Sequence, residues 1–157
     1  MTTPKKLGRY VIGAAAFLVL SVACGGAEST PPDVQVELDS QNPLALHVTV
    51  RSRANERITL AKYRLPWGNT YSMILVAATP QGHMIDKSLP VDDPSPEHVS
   101  LEPNETLRGD INLANYFQGL DGALKKSEIH LFWAYKAPDE LHIASWSGGW
   151  ILIRQPH

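Results

Sequence analysis

The sequence predicts an all-β fold, an immunoglobulin-like β-sandwich, and three observations carry that prediction. Apolar and polar residues alternate with a two-residue period in several short runs, which buries one face of a strand and wets the other. Turn residues separate these runs, as in Thr79-Pro80-Gln81-Gly82 and Glu102-Pro103-Asn104-Glu105. Helical material is confined to residues 114–126, where Gly119 and Gly122 allow only one or two short turns. About eight short strands with turns between them fit a sandwich of two packed sheets.

Taken in order, Val34, Val36 and Leu38 alternate with polar neighbours. Leu44, Leu46, Val48 and Val50 do the same against Ala45, His47, Thr49 and Arg51. Residues 52–56 are polar turn material, and residues 57–63 begin a third strand with Ile58 and Leu60 inward. Residues 71–79 hold the continuous run Met73-Ile74-Leu75-Val76-Ala77, which predicts a central strand covered on both faces. Thr79-Pro80-Gln81-Gly82 turns the chain, with proline and glycine where φ is fixed or positive, and residues 83–85 return as a hairpin partner. Residues 90–96, with three prolines and two aspartates, read as a loop. Val99 and Leu101 lead into the Glu102–Glu105 turn, and Leu107, Ile111 and Leu113 follow. In residues 128–136, Ile129, Leu131, Trp133 and Tyr135 share one side and His130, Phe132 and Ala134 the other. Residues 141–146 and 150–153 read as a terminal hairpin across Ser147-Gly148-Gly149.

The first 23 residues have a different character. Lys5, Lys6 and Arg9 are the only charges there, and residues 10–23 form an uncharged, mostly apolar run of 14 residues. A helix needs about 20 residues to cross the hydrocarbon core, so this run fits a secretory signal better than a permanent span. Residues 1–23 are therefore expected to be a signal peptide, residues 24–33 a tether rich in glycine and proline, and residues 34–157 the folded domain. Cys24 is the only cysteine, so no intramolecular disulfide can form. Removing Lys5, Lys6 and Arg9 with the signal leaves 11 basic and 16 acidic side chains, a net charge of −5. An acidic domain without a basic run is a poor binder of nucleic acid, because phosphate contacts supply most of that affinity.

Four resemblances follow from these residues. Leu20-Ser21-Val22-Ala23-Cys24-Gly25 resembles the lipobox of bacterial lipoproteins, with Ser21 where leucine is usual and the leucine one place earlier. It implies acylation of Cys24 and anchoring in the cell envelope; the alternative is an ordinary signal peptide whose end includes a cysteine. Gly25 after the cysteine resembles lipoproteins released to the outer membrane, if the source is Gram-negative. The series of strands and turns through Val99-Ser100-Leu101-Glu102-Pro103-Asn104-Glu105-Thr106-Leu107 and Ile111-Asn112-Leu113 is similar to Ig-like domains of bacterial lipoproteins. In those domains a glycine stands where Asn104 does, and Asn is the next best residue for positive φ. Leu65-Pro66-Trp67-Gly68 and Asp92-Asp93-Pro94-Ser95-Pro96 also resemble exported lipoproteins of uncharacterised function, which implies no activity.

Chemistry-bearing patterns are sparse. The sequence offers no Gly-x-Ser-x-Gly elbow and no nucleophile in a recognisable setting, so no catalytic residue is expected and the chain is read as a non-enzyme. The six histidines show neither His-x-x-x-His nor His-Glu-x-x-His, and no metal or cofactor is expected. Met73, His83 and Met84 are soft donors that copper would accept, yet Met73 sits in a core-like run. Asp92, Asp93 and Glu97 carry oxygen donors for calcium at a spacing that matches no known loop, and a solvated acidic connection is the simpler reading. Trp67 lies in residues 65–70, where proline and glycine prevent regular pairing. It is either a cap on the end of the sandwich or an exposed anchor for a partner. Trp146 and Trp150, beside the Ser-Gly-Gly segment, are expected to cover the sheet. The function expected from these features is a non-catalytic, membrane-tethered module that binds or assists another envelope component, expected to be a protein, through Trp67, Asp92, Asp93 and Glu97. The alternative is a periplasmic carrier of a small ligand or metal.

Overall fold

The computed structural model describes residues 32–88 and 96–155. The expected signal peptide, Cys24, nearly all of the tether, and Asp92 and Asp93 lie outside the described residues. Every described residue belongs to the compact unit Pro31–His157. No helix among them is long and apolar enough to cross a membrane.

Eight strands are present among the described residues. Strands β1 (Val34–Leu38), β2 (Ala45–Arg51) and β6 (Thr106–Asn112) form one antiparallel sheet in the order β1-β2-β6. Strands β4 (Met73–Ala78), β7 (Ile129–Lys136) and β8 (Trp146–Ile153) form another in the order β4-β7-β8. This is the A-B-E and C-F-G arrangement of an immunoglobulin-like sandwich. Strands β3 (Ile58–Ala61) and β5 (His98–Leu101) pair with each other as a separate ribbon. At one edge β1 runs beside β8, and Leu38 and Asp39 share a surface depression with Arg154 and Gln155. The helical segment supplies a 3-10 turn at Leu113–Asn115 and the short helix α1 (Leu120–Leu124).

Alternation decides which faces meet. Leu46, Val48 and Val50 of β2 and Ile111 of β6 point inward, opposed by Met73, Leu75 and Ala77 of β4 and Ile129, Leu131, Trp133 and Tyr135 of β7. Leu60 of β3 and Leu101 of β5 close the same core. Among the described residues, the buried side chains of this core run from Val34 to Ile153. The Thr79–Gly82 turn is closed by the Gly82 amide donating to the Thr79 carbonyl, with Gly82 at φ +83°. Met84 then bridges Ala78, a minimal hairpin. Asn104 takes φ +59°, the positive value expected of it.

Two expectations are corrected. β4 is an edge strand rather than a central one: it pairs only with β7 in its sheet, and Ile74 is 48% exposed. Its apolar run reflects one inward face in the core and one outward face that no second layer covers among the described residues. The terminal hairpin is also absent, because β8 runs unbroken through Ser147-Gly148-Gly149. The reason is packing. Gly149 lies opposite Trp133 on the inner face, where a Cβ would stand 3.3 Å from the indole nitrogen. The glycine makes room for the largest side chain of β7.

Candidate functional site

Trp67 is a cap. Gly109 pairs with buried Val48, so it belongs to the inner face of β6, and it leaves a gap there. The Trp67 indole fills that gap so closely that a Cβ on Gly109 would fall 2.2 Å from its Cδ2. The ring is half-buried and packs against the core. Its remaining edge lines an open depression of about 320 Å³ together with Leu65, Glu97, Val99, Leu107 and Arg108. The structure therefore brings Trp67 and Glu97 into one groove, through the β3–β5 register that sets Ala61 opposite His98. Glu97 is exposed there and accepts a hydrogen bond of 2.8 Å from Lys62 Nζ, which holds its carboxyl below the ordinary carboxylate value. Its backbone carbonyl accepts from the Lys62 amide as well.

The soft donors are scattered. Met73 is fully buried at the start of β4, whereas Met84 is 62% exposed beyond the other end of that strand. No group of three His, Cys, Asp or Glu placed to hold a metal occurs among the described residues.

The opposite outer surface of the sandwich is polar. Glu37 of β1, His47 of β2 and Asp110 of β6 stand side by side on the outside of the first sheet. His47 Nδ1 lies 2.7 Å from Asp110 and its Nε2 lies 3.3 Å from Asp39. Hydrogen bonding to Asp110, with the charges of both carboxylates, raises the His47 pKa above its ordinary 6.5. The backbone amides of Gln41 and Asn42 lower that of Asp39.

The outer face of β4-β7-β8 breaks this rule. Reading across the ladder, one row holds Ala78, His130 and Leu152, with Met84 bridged to Ala78. The next holds Val76, Phe132 and Trp150, and the next Ile74, Ala134 and Gly148. Lys136 and Trp146 close one end. Trp150 is 70% exposed, Met84 62%, Trp146 56% and Leu152 38%. The Trp150 ring lies 5.2 Å from that of Phe132, tilted by 56°, so the exposed indole is buttressed. Outward sandwich positions are ordinarily polar, whereas the exposed positions here are largely apolar and aromatic. Beyond Lys136 the surface continues into an open depression of about 420 Å³ bordered by Tyr63, Tyr71 and Asp139.

The sequence hides this face because Gly148 and Gly149 also carry the signature of a turn. Carried through them, a two-residue period puts Trp146, Gly148, Trp150 and Leu152 on one side.

Fold and site together define an immunoglobulin-like β-sandwich with one sheet presenting an aromatic, solvent-facing surface. No family model matches the chain, and no curated protein is significantly similar to it.

Proposed function

We propose that this protein is a non-catalytic module, tethered to a membrane through acylated Cys24, that presents a binding surface to another component of the cell envelope. One observation carries the binding role: the uncovered apolar and aromatic outer face of β4-β7-β8, with Trp146 and Trp150 more than half exposed. A sandwich spends nothing on stability by keeping polar residues there, so exposed tryptophans on a strand face call for a partner. The tether and anchor rest on the lone cysteine after an apolar run. Residues 24–32 reach roughly 30 Å at full extension, which keeps the domain close to the bilayer. The test is metabolic labelling with palmitate in cells expressing the full chain. Labelling that disappears on Cys24→Ser supports the anchor, and labelling that persists in Cys24→Ser sinks it. Replacing Trp146 and Trp150 together by serine is expected to abolish envelope association of that Cys24→Ser protein while leaving its far-UV circular dichroism unchanged.

A further inference from the structure

We infer that the occupant of the outer β4-β7-β8 face is the lipid surface itself: Trp146, Trp150, Leu152, Ile74 and Met84 enter the headgroup boundary of an anionic bilayer. The inference deepens the anchored-module reading and rests on it for the short tether.

The chemistry of the face matches a membrane interface more closely than a protein core. Tryptophan concentrates where an apolar ring body can be buried while its N–H stays wet, and bilayer interfaces offer that environment. The apolar centre has a rim. Lys136 stands beside Trp146 at one end. At the other, Arg154 is ion-paired with Glu128, and His130 lies 3.7 Å from the same carboxylate. Lys126 and Lys125, the latter ion-paired with Asp121, line a depression there together with Glu128 and Arg154. The rim is mixed in sign, with Lys126 and Lys136 as its cations outside these ion pairs. Each cation near an anionic headgroup surface adds attraction.

The outside of the other sheet carries Glu37, Asp39 and Asp110 beside His47, Arg51 and Arg108, so it is polar where the β4-β7-β8 face is apolar. Attachment geometry agrees. β1, where the tether joins the domain, runs beside β8, the strand that carries both exposed tryptophans. An anchor at Cys24 thus restrains the domain from the edge that borders this face.

The experiment uses the chain from residue 25 onward, which lacks the acylation site and retains every described core residue. It is mixed with vesicles of phosphatidylcholine alone and with vesicles of phosphatidylcholine and phosphatidylglycerol in equal parts. Co-sedimentation is expected with both, stronger with the anionic mixture, together with a blue shift of tryptophan emission. Trp146→Ser with Trp150→Ser should weaken partitioning about tenfold or more on both vesicle types. Lys136→Glu should weaken it about fivefold or more on the anionic vesicles and little on the neutral ones. Unchanged urea midpoints keep these losses from being unfolding. Absence of partitioning, or partitioning indifferent to the tryptophan pair, overturns the inference. Palmitate labelling of the full chain separates the two ideas: labelled Cys24 without vesicle binding leaves the anchored module and removes the lipid-facing surface. Vesicle binding with unlabelled Cys24 does the reverse.

Discussion

Gly109 and Trp67 form a pair whose energetics can be worked from the geometry. A Cβ on Gly109 would lie 2.2 Å from Trp67 Cδ2 and 2.3 Å from Cε2. Carbon atoms in contact rest about 3.5–4.0 Å apart, so Gly109→Ala forces the indole outward by about 1.5 Å. Overpacking of this kind costs about 1–3 kcal/mol. Trp67→Ala removes a half-buried ring; a fully buried one is worth about 3–5 kcal/mol, so about 2 kcal/mol is expected. In the Trp67→Ala background, however, the methyl of Gly109→Ala enters vacated space. There it should be neutral or stabilising by about 0.4–1 kcal/mol, because alanine restricts the unfolded chain more than glycine does. The two substitutions are thus non-additive by about 1–4 kcal/mol. Urea denaturation of wild type, both single variants and the double variant, followed by far-UV circular dichroism, measures this coupling without relying on tryptophan fluorescence. If Gly109→Ala costs the same with and without Trp67, the indole does not sit on Gly109 and Trp67 is no cap.

Other expected outcomes follow from the same packing and charges. Gly149→Val should destabilise the domain by about 1–3 kcal/mol, read as a shift of the urea midpoint, since even a Cβ there meets the Trp133 indole. Tyr135→Phe should cost about 1 kcal/mol, because the phenol donates a 2.9 Å hydrogen bond to the Arg64 carbonyl from a buried position on β7. The His47 cluster gives a pH dependence whose sign is fixed. The His47 pKa is raised, so its stabilising contribution is fully present below pH 6.5 and is lost as pH rises through the raised value. The Asp39 pKa is lowered, so its contribution is present above pH 3.8 and is lost as pH falls through the lowered value. His47→Ala should flatten the alkaline side of a stability profile measured by thermal unfolding across pH, and an unaltered slope there would count against the ion pairs.

Strand identity was legible wherever alternation was regular. Ile129, Leu131, Trp133 and Tyr135 alternate with His130, Phe132 and Ala134, and the burial of β7 follows that pattern. Asn104 and Gly82 were legible because positive φ restricts residue choice so strongly. β4 was read as central because its sequence is apolar on both faces. Sequence reports apolarity but not whether a second layer exists to cover it. Gly148 and Gly149 misled for a related reason: glycine marks turns and also close approach, and only the neighbouring Trp133 tells which. The meeting of Trp67 with Glu97 depends on the pairing of β3 with β5, which joins segments nearly forty positions apart and leaves no local trace. The aromatic face likewise emerges only when three strands fall into register.

The most direct measurement of that face is quenching of tryptophan emission in the full-length protein on anionic vesicles whose acyl chains carry bromine. Quenching is expected in the wild type, from Trp146 and Trp150 at the headgroup boundary, and its loss in the variant with both replaced by serine. Emission that bromine leaves untouched, or quenching that survives removal of both tryptophans, contradicts a membrane-facing β4-β7-β8 sheet.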